Sequence, residues 1–523
     1  MSQEDYFNEL LKLYPSYGSY LGFREYDDKY ENFLDRNIKN KLYKLTQKYI
    51  KLYAKVETDD IKINAFKWNL KNQLAELDTD LWMIPLSSFG NIIIDSIYYN
   101  KTFYPLKTQK DVNNLLKRLP YVNDIIDSCI ETLKIGIQHK IVIPQFSCKF
   151  VIDDLQNYLD IKEYIIKIPI GLNKDNYDDL ANQFAIKLEK LITFLKDVYI
   201  HKCQKKLGIC YLPNGKKLYK QLILSNVTLD ISPEEIFKYG ISEVKRIEGE
   251  YIKIRNKMGL EKLTLQEFCK HIKDNPKNYF KNKEELLENY KFQQKRIKDT
   301  IMKKYFKYQL KNPNLIKAVP KYQEATSVAA YYYSADYQQT RKGVFFVNTR
   351  NLKENPRYET YVLSLHESSP GHDYQFQYMI ENKIPPCNIF CFSNNGYIEG
   401  YGLFCENLGD YTELEYFGKL NYEILRAVRL IVDVGLHYYG WSWDKAFNYM
   451  KKHIPINHET LKSELIRYIS IPGQALAYKI GSRVFLQLQK EFLKNGRDIK
   501  DFHEKILENG VLPLEILKDI KFT

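Results

Sequence analysis

The 523-residue chain has no stretch approaching the ~18 consecutive apolar residues of a membrane-spanning helix, so no transmembrane segment is expected. Its first residues, Met1-Ser2-Gln3-Glu4-Asp5-Tyr6, lack both the basic start and the apolar core of a secretory signal. Eight cysteines are present, but C-x-x-C spacing is missing, and the nearest pairs are Cys203/Cys210 and Cys387/Cys391. That pattern excludes zinc-ribbon and thioredoxin-type motifs. It is the pattern of reduced thiols in a cytosolic protein rather than of a disulfide framework. The net charge is +13, yet 78 basic and 65 acidic residues are interleaved with no long basic block. A solvated lysine-rich surface accounts for this, and a nucleic-acid partner is not expected. Internal repeats and low-complexity tracts are also missing.

What is present is mostly helical periodicity. Leu180, Phe184, Leu188, Leu191, Leu195 and Val198 step by three and four residues, as the buried stripe of a long amphipathic helix does. Ser232-Pro233-Glu234-Glu235 reads as a capping box with proline in the first turn, opening a helix toward Gly259. Residues 283–310, 411–439, 443–453 and 472–494 are expected to be helices, the last opened at Pro472 and closed before Gly496. Strand signals are few: 343–349 is the clearest, with weaker candidates at 140–146 and 164–170. The expected fold class is mainly α, a large helical body with a small β-sheet beside the active site. It is read as one domain over 1–523, divisible into an N-terminal helical subregion 1–320 and a metal-site subregion 321–523.

The segment His366-Glu367-Ser368-Ser369-Pro370-Gly371-His372 carries the chemistry. Two neutral imidazoles can hold zinc, and an adjacent glutamate can face a metal-bound water as general base. In the familiar H-E-x-x-H helix the histidines are four residues apart and share a face. Here they are six apart, which on a regular helix separates them. Pro370-Gly371 is therefore expected to form a two-residue bulge that returns His372 to the metal side. Downstream, Glu399 and Glu406 lie seven residues apart on one helical face among apolar neighbours. Glu399 is the expected third ligand, and Glu406 the residue that orients a ligand histidine through its free N–H.

These residues resemble the domain-of-unknown-function 885 family, whose signatures are H-E-x-x-P-G-H-x-x-Q and E-G-x-x-x-Y-x-E. His366, Glu367, Pro370, Gly371, His372 and Gln375 match the first, and Glu399, Gly400 and Glu406 the second, with Phe404 in place of tyrosine. Val347-Asn348-Thr349, Leu212-Pro213-x-Gly215, the Ser232 capping box, Asp433 through Ser442 and Pro472 through Gly481 resemble further family motifs in order along the chain. The resemblance implies a zincin-like metallopeptidase.

Other polar residues on apolar helices complete the expected pocket. Tyr478 could stabilise a tetrahedral oxyanion, and His437 could donate to a peptide oxygen or be a satisfied core histidine. Arg429 is expected to anchor a substrate carboxylate or to pair with Asp433, four residues on. Gln474 and Tyr468 are expected to line the cleft, and Gln375 and Asp433 to support the ligands. The remaining six histidines are read as surface or core residues. The expected function is zinc-dependent hydrolysis of short peptides, in carboxypeptidase or dipeptidase fashion, by a cytoplasmic monomer or homodimer with no membrane partner. A catalytically inactive metal-stabilised scaffold and a basic nucleic-acid-binding protein are the rivals.

Overall fold

The computed structural model describes residues 1–321, 324, 328–494 and 496–522. With 66% of the chain helical, the mainly α class stands. Thirteen elements frame the site and the body around it. They are α1 (Gln3–Leu13), α2 (Ile92–Thr102), α3 (Tyr177–Asp197) and α4 (Pro233–Lys257), then β1 (Leu315–Ala318), β2 (Ala330–Tyr333) and β3 (Val344–Val347), then α5 (Arg357–Glu367), α6 (His372–Glu381), α7 (Asn395–Cys405) and α8 (Glu413–His437). Two more, α9 (His458–Ser470) and α10 (Ala477–Leu493), close the set. No helix among the described residues is long and apolar enough to cross a membrane.

Helix periodicity translated directly. In α3 the stripe from Leu180 to Leu195 is buried, while Val198 falls beyond the helix end and is exposed. The Ser232 capping box forms: its hydroxyl accepts from the Glu235 N–H, and the Glu235 carboxylate accepts from the Ser232 N–H. From Phe417 to His437, α8 is buried almost all round and forms the central rod of the body. Gly240 of α4 lets that rod approach closely, since a Cβ there would stand 2.7 Å from Ile431. One apolar cluster joins α1 to the C-terminal half, with Tyr6 stacked 5.8 Å from Phe392.

Several boundaries differ from the sequence reading. The helix from Lys283 ends at Ile297, passes into a single wider turn at Lys298–Met302 and stops at Tyr305. Pro472 does not open α10. Gly473 takes a positive φ of 85°, a short 3-10 turn spans Gln474–Leu476, and the α-helix begins at Ala477. Residues 140–146 make only a single bridge, Pro144 to Gln204, before helix begins at Gln145. Residues 164–170 form no strand, because the Ile166 N–H donates to the Tyr177 hydroxyl instead of to a neighbouring strand. The sheet has order β1-β3-β2, with β3 parallel to β1 and antiparallel to β2. β3 was legible, and its two partners were not.

Candidate metal centre

Helix α5 ends at Glu367, so His366 sits in its last turn. The chain then breaks completely, and α6 begins at His372. This replaces the expected bulge: the two imidazoles come from separate helices whose ends meet. Gly371 makes the meeting possible. A Cβ on it would lie 1.8 Å from the His366 carbonyl oxygen and 2.6 Å from that of Leu365, far inside any tolerable contact. The two rings end 4.8 Å apart and nearly perpendicular.

Helix α7 brings the third donor. Glu399 Oε2 stands 3.6 Å from His366 Nε2 and 3.4 Å from His372 Nε2. One ligand atom from each of the three residues lies within 4.8 Å of the other two. Two donors each ~2 Å from a tetrahedral ion are about 3.3 Å apart, and the two Glu399–imidazole separations are close to that. Glycines seat α7. Gly402 faces the imidazoles, where a Cβ would come within 2.9 Å of His366, and Gly400 meets Gly481 of α10, where it would come within 2.5 Å of the Cα.

Glu406 stands against His366. Its Oε1 lies 2.9 Å from His366 Nδ1, which makes Nδ1 the donor to this carboxylate and turns Nε2 toward Glu399. Arg426 approaches the same oxygen at 3.3 Å. Burial would lower the His366 imidazole, but hydrogen bonding to Glu399 and Glu406 outweighs it and raises the group to about 9. Burial would likewise raise Glu399, and the two imidazoles overcome this and hold it well below the carboxylate range. Half-buried Glu367 moves the other way, raised by burial against the pull of both histidines. Gln375 is fully buried, but its amide makes no hydrogen bond among the described residues, and neither does His372 Nδ1. The expected support of His372 by Gln375 is therefore not formed.

Tyr478 of α10 is at the centre, its ring 6.3 Å from that of His366 and nearly parallel. Its hydroxyl oxygen accepts from Arg467 Nη2 at 3.0 Å, so its own proton remains free to donate. The same Arg467 nitrogen holds Gln474 Oε1 at 2.9 Å, which ties Gln474 to the Tyr478 support rather than leaving it free in a cleft.

Four expected roles change. Arg429 does not pair with Asp433. It gives Nη2 to Glu464 at 2.7 Å and Nε to the Tyr468 hydroxyl at 3.0 Å, so its charge is already matched. Burial opposes that pair on both sides, yet Arg429 holds Glu464 down to about 2. Tyr468 is 1% exposed and donates to Glu464 at 2.7 Å, so it does not line a cleft. His437 is fully buried with both nitrogens used: Nδ1 accepts from the Ile209 N–H, and Nε2 faces the Tyr468 carbonyl at 2.8 Å. Burial pushes it down to about 4, so it is a neutral core histidine rather than a donor to substrate. Asp433 accepts from the Tyr219 hydroxyl at 2.5 Å and the Gly473 N–H at 3.0 Å. It anchors the turn that precedes Tyr478 and does not support a ligand directly.

The sequence reading missed Arg426, Glu464 and Arg467. The guanidinium carbons of Arg426, Arg429 and Arg467 stand 5.9, 4.8 and 5.8 Å from the Tyr478 ring centre. Glu464, Arg467 and Tyr468 fall at i, i+3 and i+4 on α9, a one-face pattern that was available in the sequence.

Solved structures share this fold, two of them described as lipoproteins. A protein described as "the putative lipoprotein from Colwellia psychrerythraea" superposes with a TM-score of 0.85 at 21% identity, covering 99% of this chain and 98% of that one. A second, "a putative lipoprotein of unknown function from Shewanella oneidensis", gives 0.74 at 16% identity with 99% and 98% covered. At these identities the likeness speaks for the fold alone. No curated protein matches the chain. The profile of a family described as "Bacterial protein of unknown function (DUF885)" matches residues 15–520.

Proposed function

The chain belongs to the DUF885 family, and from that premise we propose that it is a zinc-dependent peptidase acting on short peptides, with the zincin-like plan its motif suggests. The observation that carries the reading is the convergence of His366 Nε2 and His372 Nε2, from two helix ends, with Glu399 Oε2 from the middle of α7, and with Glu367 beside them. Two imidazoles and one carboxylate, one imidazole braced by a further carboxylate, are the donor set of a catalytic zinc site with a position left for water or substrate. When bound, zinc would polarise a peptide carbonyl and lower the pKa of a coordinated water toward ~7.

The chain's own residues divide the remaining work. Glu367 takes the proton of the attacking water and passes it to the leaving amine. Tyr478, with its oxygen already accepting from Arg467, donates its proton to the developing oxyanion. Glu406 keeps His366 in the tautomer that presents Nε2. Arg467, whose Nη2 gives its hydrogen bonds to the neutral Tyr478 and Gln474, leaves positive charge beside Tyr478 and supports a substrate that is anionic near this point, as in carboxypeptidase or dipeptidase action.

The test is the metal content of protein purified without added metal. Wild type should carry close to one zinc per chain, and His366→Ala and Glu399→Ala should each lose it while remaining helical by circular dichroism. Full zinc in either variant would show that the cluster is not the metal site.

A further inference from the structure

A separate cavity lies among the first hundred residues, between the short helix Pro15–Tyr20, the loop at 85–90 and α2. Its volume is about 540 Å³, within the ~300–1,000 Å³ typical of small-molecule sites. Tyr17, Tyr20, Tyr30, Phe33 and Tyr99 line it together with Asp95, the only charged residue of the wall among the described residues. None of these residues belongs to the metal cluster.

Three of the four tyrosine hydroxyls are already engaged. Tyr17 donates to the Phe390 carbonyl at 2.8 Å, Tyr20 shares 3.3 Å with the Ser334 hydroxyl, and Tyr30 reaches the Ser96 carbonyl at 3.5 Å. What they offer the cavity is therefore ring surface. Tyr20 stacks on Tyr17 and meets Tyr99 edge-on, giving a continuous aromatic wall.

Asp95 forms neither an ion pair nor a hydrogen bond among the described side chains. Its charged neighbour is another carboxylate, Asp154, which also makes no ion pair among the described residues. The arginines of this region are engaged: Arg118 donates to Asn100 and the Asp27 carbonyl, and Arg341 to the Ser334 carbonyl. Burial, and then Asp154, push Asp95 up to about 6. An unmatched, half-buried carboxylate facing aromatic rings is unusual in a chain with 78 lysines and arginines.

We infer that this cavity binds an organic cation, an ammonium group on an aromatic or aliphatic body. Such a ligand supplies the counter-charge Asp95 lacks and lays its cationic face on the tyrosine rings. An anion would be repelled. A bare metal ion would find one carboxylate and little else. A neutral ligand would leave Asp95 unpaired. This inference stands apart from the peptidase reading.

Calorimetric titration of the full chain with benzyltrimethylammonium, and with benzyl alcohol as neutral control, tests it. The cation should bind at least ~10-fold tighter than the alcohol. Asp95→Asn should erase that preference, and Glu399→Gln should leave it intact. Equal affinity for the two probes, absence of cation binding, or an unchanged preference in Asp95→Asn overturns the inference. Loss of the preference in Glu399→Gln would place the probe at the metal cluster and overturn it equally. If Asp95→Asn does not fold, Tyr99→Leu at an exposed ring takes its place. It should weaken the cation at least ~3-fold more than the alcohol, and equal weakening of both refutes the cation site.

Discussion

Gly371→Ala is the smallest change that attacks the geometry of the metal centre. The added methyl would sit 1.8 Å from the His366 carbonyl oxygen and 2.5 Å from its carbonyl carbon. Ordinary contact begins near 3.4 Å, so the ends of α5 and α6 would have to part by about 1.6 Å. Backbone at a buried helix end cannot rotate away as a side chain can. Overpacking of this kind typically costs about 1–3 kcal/mol and sometimes more. The displacement also falls directly between His366 and His372, whose nitrogens would each have to come within ~2 Å of the proposed ion. The variant should therefore lose both stability in urea unfolding and at least ~10-fold in zinc affinity. Gly402→Ala is the internal control. Its methyl would meet imidazole atoms at 2.9–3.1 Å, a clash of a few tenths of an ångström that the rings can relieve. It should cost less on both scales. A Gly371→Ala protein with wild-type unfolding and full zinc would refute the claim that the helix break is held shut by this contact.

Other perturbations separate catalytic from structural roles. Arg429→Gln leaves Glu464 buried without its main cation, which should cost about 3–5 kcal/mol in chemical unfolding. Amidating the C-terminus of a peptide substrate should change KM equally in this variant and in wild type; a selective loss would restore Arg429 as the carboxylate anchor. Tyr478→Phe should lower kcat and kcat/KM together by about 10²–10³, because its donor is used mainly in the transition state. Unchanged kinetics with a lower Tm would reduce the phenol to packing. His437 is held neutral near 4 in the fold against an ordinary ~6.5. Its contribution is complete above pH 6.5 and is lost as pH falls through 4, up to about 3 kcal/mol. Asp433, raised to about 7 by burial, works in the opposite direction as pH rises. The slope of stability with rising pH between 4 and 6.5 should therefore become less positive, or reverse, in His437→Asn relative to wild type, and an unchanged slope would contradict the assignment.

The parts of this molecule readable from sequence were those written in local pattern. The period of α3, the capping box of α4 and the H-E…H motif each depend on residues a few positions apart. Glu399 and Glu406 were legible because seven residues make nearly two helical turns. Less legible was anything decided by a distant partner. Arg429 and Asp433 are correctly spaced to pair along α8, yet Glu464 of α9 and Gly473 claim them. His437 looks like a catalytic donor in isolation and is satisfied by Ile209 and Tyr468. The break at Pro370-Gly371 was misread as a bulge because sequence shows which residues loosen a helix but not where a neighbouring helix end will stand. Residues 164–170 have strand character but find no strand to pair with, while β1 and β2 are only four residues each and take their register from β3.

Side-by-side digestion of a short-peptide library by zinc-loaded wild type and Glu367→Gln tests the central claim most directly, with products read by mass spectrometry. The account predicts cleavage by wild type, a loss of at least ~10² in turnover for Glu367→Gln, and equal zinc in the two proteins. No cleavage by fully loaded wild type, or equal cleavage by both, would contradict it.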